Sequence, residues 1–139
     1  MTLKAAVPAL LLALALPAMA AAQTCTTTPT ALCLSNSRFQ VSITWATSNG
    51  QSGVGQAVFL TPDTGYFWFF ASSNVEVIVK VLNGCPLNHR FWVFAGGLTN
   101  VHTVLTVRDM QTGSFKTYNN PQRTPFQPIQ DTNAFSNCP

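Results

Sequence analysis

Tyr66-Phe67-Trp68-Phe69-Phe70-Ala71 opens the stretch that decides the fold. Val75-Glu76-Val77-Ile78-Val79-Lys80-Val81-Leu82 continues it, and Phe91-Trp92-Val93-Phe94-Ala95-Gly96-Gly97 closes it. Two similar aromatic runs bracket an aliphatic one. In the middle run Val75, Val77, Val79 and Val81 form one β-branched face, and Glu76, Ile78, Lys80 and Leu82 form the other. A period of two with β-branched residues reads as a strand, not a helix. Asn83-Gly84 is a hairpin signal, but the connection runs on through Cys85, Pro86, Leu87 and Asn88, longer than a two-residue turn. Trp68 and Trp92 then fall at equivalent places in two strands flanking the valine strand, on one face of a meander. Tyr66–Phe70 is aromatic on both sides. Both of its faces are expected to be covered, which would make the whole block core.

The same period extends outward. Phe39, Val41, Ile43 and Trp45 alternate with polar residues in a strand over Phe39–Thr47, followed by a Ser/Asn/Gly/Gln loop over Ser48–Gly53. Gly55–Leu60 is the next strand. Thr61-Pro62-Asp63-Thr64-Gly65 turns the chain into Tyr66–Phe70: Pro62 presets φ, Asp63 can bond its local backbone, and Gly65 can take a positive φ. After Val75–Leu82 come Arg90–Ala95, Val101–Arg108 and Ser114–Tyr118. Gly96-Gly97 reads as a bulge or sharp bend. From Asn119 the pattern fails, and Pro121, Pro125 and Pro128 forbid a central strand. Phe126, Ile129 and Phe135 are expected to lay this tail across the core. About seven short strands divided by turn residues predict an all-β, single Ig-like β-sandwich, Ig-like in architecture only, with a small β-barrel as the other possibility.

The first residues read as a leader. Lys4 supplies a positive start, Ala5–Leu16 is too short to span a bilayer, and Ala18-Met19-Ala20 and Ala20-Ala21-Ala22 both fit the small-x-small cleavage rule, with cleavage after Ala22 favoured. A lipid anchor at Cys25 is the rival, and Thr24 fits it poorly. Residues 1–22 are thus a signal peptide, 23–36 a Thr-rich irregular arm and 37–139 the sandwich domain, irregular again from about 119. A secreted or periplasmic location follows. About 117 residues would remain, enough for one domain with one core.

Cys25, Cys33, Cys85 and Cys138 are four cysteines behind a leader, which reads as two disulfides stapling the termini. Four cysteines allow three pairings. Cys25 with Cys33 as a local loop and Cys85 with Cys138 as a tail tie are favoured. No C-x2-C pair occurs, and His89 and His102 complete no tetrahedral set, so no metal ligand is assigned. Charged residues make up 8% of the chain, against about a quarter in an average globular protein. Beyond Ala22 the cations are Arg38, Lys80, Arg90, Arg108, Lys116 and Arg123, and the anions are Asp63, Glu76, Asp109 and Asp131. The cations are scattered, whereas nucleic acid or an acidic membrane surface would need them clustered. No nucleic-acid partner and no membrane span are expected.

No catalytic residue stands out. Asp63 and Asp109 sit in turns, where Asp satisfies backbone amides. Glu76 shares a strand face with Lys80, which predicts an ion pair or a solvated edge. Glycoside hydrolysis needs two facing carboxyls in a cleft, and a nucleophile triad needs a His beside a free Ser or Cys. There is no Gly-x-Ser-x-Gly elbow and no phosphate-binding glycine loop, so no cofactor is assigned.

Several segments taken together carry a resemblance: Leu32-Cys33-Leu34 leading to Arg38-Phe39, Gly55-Gln56-Ala57-Val58, Asp63 to Phe70, Asn74-Val75-Glu76, Val79 to Leu82, and Phe91-Trp92-Val93-Phe94. The chain resembles a group of uncharacterised bacterial exported β-domain proteins with CLNNGRF, GYFWFF and GHFWVF segments. The likeness runs from about Cys33 to Phe135. It departs at Ser35-Asn36-Ser37, where the group has Asn-Gly, and at Asn88-His89-Arg90, where it has Gly-His. The resemblance implies a self-contained extracellular domain and carries no catalytic residues. Three functions fit. The first is a non-catalytic extracellular or cell-envelope interaction or structural module, with a protein or polysaccharide partner. The second is a carbohydrate-binding module whose ligand platform is Tyr66, Trp68 and Trp92, if exposed. The third is a secreted protease inhibitor presenting Asn83–His89.

Overall fold

The structure, a computed structural model, describes residue 2, residues 13–19 and residues 21–139. Lys4 and most of the apolar run of the expected leader lie outside the described residues. Ten strands and one short helix follow in chain order: β1 Leu32–Leu34, β2 Phe39–Ala46, β3 Ser52–Val54, β4 Gln56–Thr61, β5 Thr64–Trp68, β6 Val75–Asn83, α1 Cys85–Asn88, β7 Phe91–Gly97, β8 His102–Asp109, β9 Phe115–Asn120 and β10 Ile129–Phe135. They form two antiparallel five-stranded sheets. The first has the order β1-β2-β8-β9, with β3 on β2, and the second has the order β10-β7-β6-β5-β4. Stacked face to face, they make the expected β-sandwich.

The alternation seen in the sequence builds the core directly. Phe39, Val41 and Ile43 from β2 and Leu105 and Val107 from β8 are fully buried. They face Phe67 of β5, Val77, Val79 and Val81 of β6, and Val93 of β7. Phe39 sits between Phe91 and Phe135, with ring centroids 4.9 and 5.0 Å away. Phe126 and Phe135 are buried, so the tail does lie across the core.

Seven strands undercount the fold. Leu32–Leu34, expected in an irregular arm, pairs with β2 as β1, and Ser52–Val54, overlapping the expected Ser48–Gly53 loop, pairs with β2 as β3. The tail from Asn119 is not irregular throughout, because Ile129–Phe135 pairs with β7 as β10. Pro121, Pro125 and Pro128 all precede β10, which contains no proline and lies at the edge of the second sheet. Gly96-Gly97 makes no bulge: the β6–β7 ladder runs in register through Ile78–Gly96 and Val77–Gly97. Gly65 has no positive φ; its missing Cβ instead makes room for Leu32, whose Cδ1 would lie 2.5 Å from it.

The termini are fastened as predicted, by Cys25–Cys33 and Cys85–Cys138. A further tie is Arg38. Its Nε and Nη2 donate to Asp109 Oδ1 and Oδ2 at 3.1 and 2.8 Å, and Nη2 also donates to the carbonyl of Asn137. Its guanidinium stacks 4.4 Å from the Phe91 ring. Arg38 thus joins the start of β2, the end of β8 and the C-terminal tail. Ser35, Asn36 and Ser37 precede it, all left-handed at φ 52, 55 and 60°. Three such residues in a row are costly without glycine. Here Ser35 N–H donates to Pro62 O and Arg38 N–H to Ser35 O, which pins the turn.

Candidate binding surface

A two-layer sandwich covers one face of each sheet and leaves the other to solvent. The register of the second sheet decides what its outer face shows. Tyr66, Ile78 and Gly96 form one row; Thr64, Lys80, Phe94 and Gln130 form the next; Leu82 and Trp92 follow. Ile78 is 45% exposed, and Tyr66, Trp68, Trp92 and Phe94 are half-buried. The expectation that both faces of the aromatic strands are covered is therefore wrong. The inner face is sealed by the first sheet, and among the described residues no element packs over the outer one.

Trp68 and Trp92 share this face but are not equivalent. Trp68 pairs with Val75 and Trp92 with Leu82, at opposite ends of β6. Seven residues of strand separate those partners by about 23 Å. The two Phe-Trp runs are thus staggered, and Trp68, Tyr66, Phe94 and Trp92 follow a diagonal across the sheet rather than one flat platform. Trp92 is anchored: its Nε1 donates to Asn88 Oδ1 at 2.7 Å, and its indole covers Gly84, where a Cβ would come within 2.2 Å. This contact folds the Asn83–Asn88 connection back on the sheet.

Midway along the diagonal is a shallow groove of about 310 Å³. Ile78, Phe94 and Pro128 give it apolar sides, and Thr64, Lys80 and Gln130 supply polar groups. It exists because Gly96 has no side chain: a Cβ there would meet nothing within 4 Å. Lys80 Nζ lies 5.2 Å from the Phe94 ring centroid, a cation–π contact. Lys80 belongs to neither ion pair among the described residues.

The Asp109, Asp131 and Glu76 carboxylates are engaged in structure. Asp109 accepts the Gln111 amide as well as Arg38. Burial pushes its pKa up, and the hydrogen bonds and charge of Arg38 outweigh this and hold it below the usual range. Asp131 Oδ2 accepts both Lys116 Nζ and Tyr118 OH at 2.7 Å, tying edge strand β9 of one sheet to β10 of the other. Its pKa is also lowered: burial opposes, and the Lys116 and Tyr118 bonds prevail. Burial, then the bond and charge of Asp131, raise the pKa of Tyr118 far above its ordinary value. At the β4–β5 turn it is Thr61 Oγ1, not the Asp63 carboxylate, that accepts the Asp63 amide.

Glu76 corrects its sequence reading. It is neither paired with Lys80 nor solvated, being only 4% exposed beside the bulge between Phe67 and Trp68. Asn74 Nδ2 donates to its Oε1 at 2.7 Å, Thr99 also bonds the carboxyl, and the Leu98 amide bonds its carbonyl. Burial outweighs these bonds and raises its pKa.

The histidines stand apart from acids and nucleophiles. His89 caps α1 in a left-handed conformation, and His102 Nε2 meets Asn119 Oδ1 at 3.1 Å. Among the described residues no group of three His, Cys, Asp or Glu could hold a metal ion, and no helix is long and apolar enough to cross a membrane. No family model, curated protein or solved structure matches the chain. Of the groove residues, sequence reasoning singled out Tyr66 nearby but missed Ile78, Phe94 and Gly96. The one available signal was the Gly96-Gly97 pair after Ala95, read from the sequence as a bulge or bend.

Proposed function

We propose that this protein is a non-catalytic binding module acting outside the cell or in the cell envelope, and that the outer face of β5, β6 and β7 is its ligand surface. The observation that carries the reading is the open aromatic diagonal with the gap at Gly96 beside it. An apolar strip left open on a chain with so few charges is a partner surface. Both disulfides fit an oxidising compartment. A leader cleaved after Ala22 would deliver the chain there. The engaged carboxylates and isolated histidines offer no acid–base pair, which favours binding over catalysis.

A polysaccharide is the second reading, favoured by the spacing of Trp68 and Trp92. An extended polymer can touch both ends of a diagonal whose ends lie about 23 Å apart along the strands. Protease inhibition is less favoured, because Cys85–Asn88 is helical and Trp92 holds it to the sheet instead of offering an extended backbone. Affinity electrophoresis through soluble polysaccharides, with pull-down of envelope proteins in parallel, tests the surface. Phe94→Ala and Gly96→Leu should abolish whichever binding is found while the protein stays folded. Binding unchanged in both variants places the ligand elsewhere and refutes the surface.

A further inference from the structure

We propose that the mature chain begins at Gln23 and that this residue cyclises to pyroglutamate. The inference rests on leader cleavage after Ala22. Two structural observations support it. The described residues of the leader, 13–19 and 21–22, are all exposed. Among the described residues, the first backbone bond to the domain comes from Gln23, whose N–H donates to Met110 O at 3.0 Å. The fold therefore begins at the residue that cleavage would make N-terminal.

The surroundings of Gln23 disfavour a charged end. Gln23 shares one hollow with Arg108, Met110 and Gln111, and a second with Ser37, Arg38 and Gln111; neither hollow is lined by a carboxylate. The nearby acid, Asp109, is already bound by Arg38 and by the Gln111 amide. A new ammonium beside Arg108 would gain no counter-charge, and like charge disfavours the protonated amine. The free amine is the nucleophile that cyclisation needs. Gln23 is exposed, so its side chain can fold back. The α-nitrogen attacks Cδ of the side-chain amide, the new N–Cδ bond closes a five-membered lactam, and the amide nitrogen leaves as ammonia with no change of oxidation state. The product is uncharged and keeps one N–H, enough for the bond to Met110 O.

The test is intact mass and N-terminal sequencing of the protein exported with its own leader, incubated at neutral pH. The expected mass is that of Gln23–Pro139 with both disulfides, less one ammonia. Sequencing should be blocked until pyroglutamyl aminopeptidase is added. The Gln23→Ala protein should show neither the loss nor the block. A persistent free amine on Gln23 overturns cyclisation while leaving the cleavage site standing. A different first residue, or a lipid on Cys25, overturns the cleavage reading and the proposal with it.

Discussion

Gly96 and Gly97 are neighbours in β7 and lie on opposite faces of one sheet. A Cβ on Gly97 would come within 2.4 Å of the Phe126 ring, whereas a Cβ on Gly96 would meet nothing within 4 Å. The same residue type thus serves two purposes. On the inner face glycine permits close packing of the tail. On the outer face it leaves a gap in a row of large side chains. The inner face is a surface fitted to another surface of the same chain. Among the described residues no surface of the chain is fitted to the outer face at Gly96.

The sharpest way to break this contrast is a pair of truncations. Phe67→Ala removes a fully buried ring from the inner face and should cost about 3–5 kcal/mol in urea unfolding. Phe94→Ala removes a half-buried ring from the outer face and should cost about 1 kcal/mol or less, mostly the lost cover of Lys80 and Trp92. Equal losses would mean that the outer face is core after all. Next in size is Gly97→Ala. Phe126 must shift to admit the methyl, for about 1–3 kcal/mol, read as a lowered melting temperature.

The sequence reveals the contrast only in part. Strict alternation in β2, β6 and β8 marks the inner faces, so the sandwich and its core are readable. The stagger of the two Phe-Trp runs is not, because register depends on which residue pairs with which across the sheet, and both runs have the same local pattern. Reading Trp68 and Trp92 as equivalent followed from that limit. β1 and β3 have three residues each, too few to display a period. Arg38–Asp109 joins residues 71 apart in sequence, and neither residue looks unusual alone. Glu76 obeys the outward alternation yet is buried, because the bulge and the connection after β7 cover it.

The carboxylates allow the next, smaller test. Glu76 has a raised pKa, so its contribution is fully present below its unfolded value and is lost as pH rises through the folded value. Glu76→Gln keeps the bond from Asn74 in amide form and removes the charge. It should raise the melting temperature at neutral pH, by an amount that shrinks toward zero as the medium is acidified. Asp109 and Asp131 have lowered values, so their contributions are present above the unfolded pKa and are lost as pH falls. The Glu76→Gln protein should still show this acid loss. A gain that grew on acidification would contradict the burial of Glu76.

The smallest expected change is the most informative for function. Gly96→Ala meets open space and ordinary strand geometry, so stability should stay within about 0.5 kcal/mol of the parent. A glycine inside a strand weakens it for want of a side chain to pack, and no contact at the Cβ position of Gly96 calls for one. If Gly96→Ala or Gly96→Leu unfolds the protein, the gap is part of the fold, and the case for a groove fails. If both fold and neither binds the partner of the parent protein, the gap is where that partner sits. The difference between Gly96 and Gly97 then separates a residue kept for folding from one kept for recognition.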